Sequence, residues 1–145
     1  MSVIAWDGKT LAADKRASFG TTIHTTTKIF HSGDALVAYA GDASFGEEMR
    51  AWYGRGAKPE DFPVSNRDKE DWAGLLVIRR GRPIARYERT PYPVLFEDTL
   101  FAIGSGREFA LAAMHLGKTA REAVEVAIAL DSGCGNGIDT RTFEE

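Results

Sequence analysis

The chain has 145 residues, with 18 Lys and Arg against 21 Asp and Glu, and a formal net charge of -3 at pH 7. A surface this mildly acidic is not built to neutralise phosphates, which argues against nucleic acid as the main partner, and no apolar run approaches the ~20 residues of a membrane span. The single cysteine excludes an internal disulfide and a Cys-rich zinc site, and the N-terminus lacks the basic region and long apolar stretch of a signal peptide. The expectation is one domain over residues 1–145, in the cytoplasm.

Strand-like segments fill the first forty residues. Val3-Ile4-Ala5-Trp6 and Lys9-Thr10-Leu11-Ala12-Ala13 flank Asp7-Gly8, a pair of residues that favours a tight hairpin turn. A two-residue turn there pairs Trp6 with Lys9 and sets Ser2 opposite Ala13, next to Asp14. Strict alternation then points Ser2 and Asp14 to opposite faces, so a bulge or a frayed end is needed to bring them together. Thr21 to Phe30 is rich in β-branched residues, and Ala35 to Ala40 reads as a buried strand after the Ser32-Gly33-Asp34 turn.

Ser44-Phe45-Gly46-Glu47 has the spacing of a capping box and opens a helix that runs to about Tyr53, where Gly54-Arg55-Gly56 stops it. Ala57 to Asp71, with Pro59, Pro63 and many charges, reads as a loop with one helical turn. Strands are expected at Gly74–Ile78, Pro83–Tyr87 and Thr99–Ile103. Ser105-Gly106-Arg107-Glu108 and Thr119-Ala120-Arg121-Glu122 are two further capping boxes, and Ala120, Ala123, Val124, Ala127 and Leu130 mark one buried helical face. After the Asp131–Gly137 turn, Ile138 to Phe143 alternates like a closing strand. This order predicts an α+β layered domain, not a doubly wound parallel sheet.

Several chemistries are ruled out by pattern. No P-loop motif is present, and the glycines from Gly133 to Gly137 follow a helix where a phosphate loop precedes one. His24, His31 and His115 are scattered, without the spacing of a zinc motif. Ser105 lies in Gly104-Ser105-Gly106, which is not the nucleophile elbow of a hydrolase, and Cys134 has no local base. The N-terminus offers more. Removal of Met1 leaves Ser2 with a free α-amine, which titrates near ~7.7–8.0 and can serve as base for its own hydroxyl.

Asp7-Gly8-Lys9-Thr10-Leu11-Ala12-Ala13-Asp14-Lys15-Arg16-Ala17-Ser18 resembles the D-G-x-x-L-A-A-D-x-R-A-[ST] signature of proteasome β subunits. Lys28-Ile29 resembles the family's strand lysine, and Ala40-Gly41-Asp42-Ala43 its A-G-x-A turn. Ala102-Ile103-Gly104-Ser105-Gly106 is similar to a block of the bacterial peptidase HslV, and Asp131-Ser132-Gly133-Cys134-Gly135 to the family's D-x-x-S-G, with Cys134 replacing serine. The five blocks fall in family order over nearly the whole chain. The short length and Met-Ser start look most like the small proteasome-like proteins of bacteriophages and prophages.

The resemblance implies a four-layer αββα N-terminal-nucleophile (Ntn) hydrolase sandwich, with the second helix trimmed between Tyr53 and Gly74. It implies that Ser2 attacks a carbonyl, that Lys28 and Asp14 activate and hold it, and that the Gly41 N–H stabilises the oxyanion. Ser105 and Asp131 then support the α-amine, while Arg16 and Ser18 lie near the substrate, a peptide or protein. The same resemblance implies a homo-oligomeric ring and no metal or cofactor; no residue identifies an ATPase partner. Two departures stand out: the usual nucleophile is threonine, and only Met1 precedes Ser2. The alternatives are a catalytically inactive ring-assembly subunit on the same fold, which would keep Met1, and a hydrolase of small non-peptide amides.

Overall fold

The first hairpin departs from the expected register, and the reason lies in one side chain. Asp7 Oδ1 accepts from the backbone N–H groups of Lys9 (2.9 Å) and Thr10 (2.7 Å), which folds residues 7–10 into a wider turn. Strands β1 (Ile4–Trp6) and β2 (Leu11–Asp14) therefore pair Trp6 with Leu11 and Ile4 with Ala13. A shift of two residues leaves each side chain on its expected face. It moves the β1 end, so that Val3 and not Ser2 lies against Asp14, whose N–H donates to the Val3 carbonyl at 3.2 Å. The computed structural model describes residues 2–64 and 72–144. Part of the loop expected up to Asp71, and with it the trimmed second helix, falls outside the described residues.

Thr21 to Phe30, expected as one strand, is divided. Strands β3 (Arg16–Phe19) and β4 (Thr22–Thr25) form a two-stranded ribbon of their own, and β5 (Ile29–Ser32) begins after a break. The chain continues through β6 (Ala35–Gly41), helix α1 (Ala43–Gly54) and a 3₁₀ turn at Pro59–Asp61, which is the single turn expected in that loop. Asp42 and not Ser44 caps α1: its carboxylate accepts from Phe45 N at 3.1 Å. Strands β7 (Ala73–Arg79), β8 (Ile84–Tyr87), β9 (Val94–Phe96) and β10 (Phe101–Ile103) follow. β9 was not expected: it is three residues long, follows two prolines and is half-exposed, so no alternation marks it. Helices α2 (Arg107–His115) and α3 (Ala120–Leu130) and strand β11 (Ile138–Arg141) complete the chain.

One sheet has the order β10-β1-β2-β11 and the other β5-β6-β7-β8-β9, with every pairing antiparallel. Side-chain alternation then builds four layers. Ile4, Trp6, Leu11, Ala13 and Ile103 of the first sheet meet Ile29, Leu36, Ala38, Leu76 and Ile78 of the second. The opposite face of the first sheet presents Val3, Ala5, Ala12 and Ala102 to α2 and α3, which answer with Ala110, Ala113, Ala120, Ala123, Val124 and Ala127. Alanine on both surfaces lets helix and sheet approach closely. On the far side, Val37, Tyr39, Leu75 and Val77 pack on Met49 and Trp52 of α1. Fully burying a Leu or Ile side chain is worth about 1.5–3 kcal/mol, so the seam between the sheets is the main source of cohesion. Leu130, expected in the α3 stripe, is 62% exposed, because the helix ends there and Asp131 already turns away.

Candidate functional site

Ser2 and Val3 precede β1; Val3 pairs with Asp14 through both backbone groups, so no fraying is needed, and it is Lys28 that joins Ser2 to the carboxylate. Asp14 is fully buried at the end of β2, and its carboxylate is met by four donors. Oδ1 accepts from Val3 N (3.0 Å) and Lys28 Nζ (2.7 Å), and Oδ2 from Gly135 N (3.0 Å) and Arg16 N (3.3 Å). That saturates the oxygen lone pairs and compensates a charge that would otherwise be costly to bury. Lys28 lies just ahead of β5 and is 4% exposed. Its ammonium donates to Ser2 Oγ at 3.2 Å as well as to Asp14, so one buried cation joins the hydroxyl to the carboxylate.

A second cluster closes on the main chain of Ser2. Gly104, at φ +98, ends β10 with no side chain because a Cβ there would collide with the Ser2 carbonyl. Gly106 N (3.0 Å) and Ser105 Oγ (3.3 Å) both approach that carbonyl. Ser105 Oγ also donates to Asp131 Oδ2 at 2.7 Å, and Gly133 N donates to Asp131 Oδ1 at 2.9 Å. These donors, first the Gly133 N–H and then the Ser105 hydroxyl, hold the Asp131 carboxyl below its usual range. Ser105 was expected to cap α2. Instead α2 starts from Gly106 with no side-chain cap, because the hydroxyl is engaged by Asp131.

Cys134 Sγ lies 3.4 Å from Asp131 Oδ2. Burial, the nearby Asp14 charge and the hydrogen bond to Asp131 push its thiol up to about 12, so it stays protonated at neutral pH and is no nucleophile.

Ser2 opens into a cleft of about 260 Å³. One wall is the β3 stretch Arg16, Ala17, Ser18 and Phe19, and the other carries Tyr39, Gly41, Asp42 and Ser44. Gly41, at φ +108, ends β6 where a Cβ would sit 2.5 Å from the Trp72 carbonyl, so only glycine fits. The cleft thus collects Ser2, Lys28, Gly41, Arg16 and Ser18, while Ser105 and Asp131 stand behind Ser2. Arg16 directs its guanidinium along the wall, with Nη1 to the Ser132 carbonyl (2.7 Å) and Nε to Asn136 Oδ1 (2.9 Å).

Three participants escaped sequence reasoning. Val3 and Gly135 act through backbone N–H groups, which carry no residue-type signal, although the glycine run at 133–137 marks a turn under conformational demand. Tyr39 lines the cleft with its hydroxyl pushed up to about 12 by burial and by Glu47. It reads in sequence as an ordinary strand residue.

No protein-family model matches the sequence, and no curated protein matches it. Solved structures do. The chain is similar to Thiobacillus denitrificans BPH in complex with epoxomicin, with TM-score 0.74, 18% identity and 97% of each chain covered. A second structure of Thiobacillus denitrificans BPH aligns with TM-score 0.74 at 20% identity, over 97% of this chain and 96% of that one. Eukaryotic HslV from Trypanosoma brucei aligns with TM-score 0.70 at 19% identity, over 97% of both. With its sheet-on-sheet core and its flanking helices, the chain has the four-layer αββα fold of the proteasome-like, HslV-type Ntn hydrolases.

Proposed function

We propose that the protein is an Ntn amide hydrolase, a peptidase that uses Ser2 as its nucleophile once Met1 has been removed. The observation that carries this reading is the buried Lys28 ammonium, which bridges Ser2 Oγ and Asp14 at the foot of an open cleft. Ser2 Oγ attacks the substrate carbonyl carbon while its proton passes to the Ser2 α-amine. Lys28 supports this step, because its positive charge stabilises the developing alkoxide and keeps the resting amine unprotonated, ready to act as base. Asp14 fixes Lys28 and, through the Val3 N–H, the start of the chain.

The Gly41 N–H stabilises the oxyanion of the tetrahedral intermediate, an effect worth about 3–4 kcal/mol for a single such donor. The protonated α-amine then delivers its proton to the leaving nitrogen as the C–N bond breaks, leaving an ester on Ser2. A water deprotonated by the same amine releases the second product. Ser105 and Asp131 orient the amine, and the β3 wall with Ser18 receives an extended peptide backbone. Arg16 lines that wall with its guanidinium already engaged. The proposal extends to a homo-oligomeric ring in the cytoplasm acting on peptide or protein chains, as a small member of the phage and prophage kind; no ATPase partner is assigned.

Steady-state hydrolysis of short fluorogenic peptides by the unmodified protein, Ser2→Ala and Lys28→Ala tests the reading. Turnover should vanish in both variants while circular dichroism keeps the native β signal in Ser2→Ala. Turnover that survives both substitutions contradicts the proposal. A folded ring without turnover favours the inactive assembly subunit instead.

A further inference from the structure

Asn136 stands in the left-handed region at φ +65, a conformation that asparagine tolerates better than most residues with a side chain. Its side chain meets three partners. Oδ1 accepts from Arg16 Nε at 2.9 Å, and Nδ2 donates to Thr25 Oγ1 at 2.8 Å and to the His24 carbonyl at 3.2 Å. A carbonyl needs a donor and a guanidinium needs an acceptor, so these partners fix which way the amide faces. Arg16 belongs to β3, and His24 and Thr25 to β4. One amide therefore grips both strands of the ribbon.

The ribbon needs that grip. Neither of its strands joins the backbone ladder of the two larger sheets, all of β4 is exposed, and Phe19 and Ile23 are 68% and 53% exposed. A two-stranded ribbon is marginal in water by itself. Its tethers converge on the Asp131–Gly137 turn. Arg16 reaches Ser132 and Asn136, Lys15 N donates to the Gly135 carbonyl at 3.0 Å, and a Cβ on Gly135 would collide with the Arg16 guanidinium. The same turn gives Gly135 N to Asp14. Asn136 thus couples the β3 wall of the cleft to the element that holds the carboxylate next to Lys28.

We propose that Asn136 is a positioning residue that holds the β3 wall where an extended peptide can bind along Ser18, beside the nucleophile. It lines no part of the cleft itself and acts through Arg16 and the ribbon. Its mechanical effect stands alone, while its kinetic effect rests on the peptidase reading above.

Asn136→Gly keeps the backbone conformation and removes all three contacts. Hydrogen exchange across residues 16–25 should accelerate by roughly tenfold or more, with β6 and β7 unchanged. For peptide substrates, KM should rise by roughly tenfold while kcat stays within about twofold. Asn136→Asp keeps the acceptor for Arg16 but turns an oxygen toward the His24 carbonyl, and should fall between the two. Unchanged exchange over 16–25 overturns the proposal, and so does a fall in kcat at constant KM. An unmodified protein that turns over no peptide counts against the peptidase reading, and exchange alone then decides the role of Asn136.

Discussion

Residues 105–108 and 119–122 share a spacing, Ser-Gly-Arg-Glu and Thr-Ala-Arg-Glu, yet they do different work. Thr119 accepts from Glu122 N at 3.1 Å while Glu122 Oε1 accepts from Thr119 N at 2.9 Å, the reciprocal arrangement that starts α3. Ser105 leaves its own helix uncapped and turns to Asp131 and the Ser2 carbonyl. Glycine on both sides makes the difference, since a Cβ on Gly104 would strike the Ser2 carbonyl and one on Gly106 would crowd Val3, Ala127 and Cys134. A capping pattern promises a hydroxyl near a helix start. Which acceptor or donor claims that hydroxyl is settled by what the fold brings close.

The largest effect should come from the buried Lys28–Asp14 pair, which holds the Ser2 hydroxyl as Ser105 holds the Ser2 carbonyl. Lys28→Met leaves Asp14 buried without its counter-charge, and breaking such a pair costs about 3–5 kcal/mol. Chemical denaturation should show that loss together with loss of turnover; a variant of native stability would mean that Asp14 and Lys28 are weakly coupled.

Ser105→Ala comes next and should separate the two regions cleanly. Removing its hydrogen bond to Asp131 should lower kcat by roughly ten- to a hundredfold with little change in thermal midpoint, since no helix cap is lost. Thr119→Ala should do the reverse, with full activity and a loss of about 1 kcal/mol, or roughly 3–4 °C, in thermal unfolding. If both variants lose stability alone, the contrast between the two regions collapses.

The smallest effect concerns pH. The Gly133 N–H and the Ser105 hydroxyl lower the Asp131 pKa, so it binds protons less readily folded than unfolded. Its contribution to stability is therefore present above the unfolded value and fades only as pH falls through the lower folded value. Asp131 thus stays ionised through pH 5–8, and the rising limb of kcat/KM should report the α-amine, near ~7.7–8.0 or below under the Lys28 charge. A rising limb near pH 4 would instead implicate a carboxyl group.

Much of this architecture is legible in the sequence because alternation survives small slips. Ile4, Trp6, Leu11 and Ala13 reach the inter-sheet seam whether the first hairpin has a two-residue turn or the wider one found. The slip itself is hidden, since Asp7 is drawn into the fold at long range: its Oδ2 accepts from Ala120 N at 2.8 Å, at the start of α3. The break between β4 and β5 is hidden as well, because an unbroken β-branched run has nothing to mark where Lys28 must leave one sheet for another.

The site residues Asp14, Lys28, Ser105 and Asp131 stand out through resemblance, not through local pattern. Spacings of 14 and 26 residues acquire meaning only after the sheets close. Backbone donors such as Gly135 and Val3 leave no residue-type trace at all.

The central claim is that Ser2 becomes a free, activated N-terminus. Its most direct test is the mass of the N-terminal peptide after the purified protein has been incubated with an epoxyketone such as epoxomicin. A peptide beginning at Ser2 and carrying one inhibitor is the predicted result. A peptide that begins at Met1 and carries none would contradict the account.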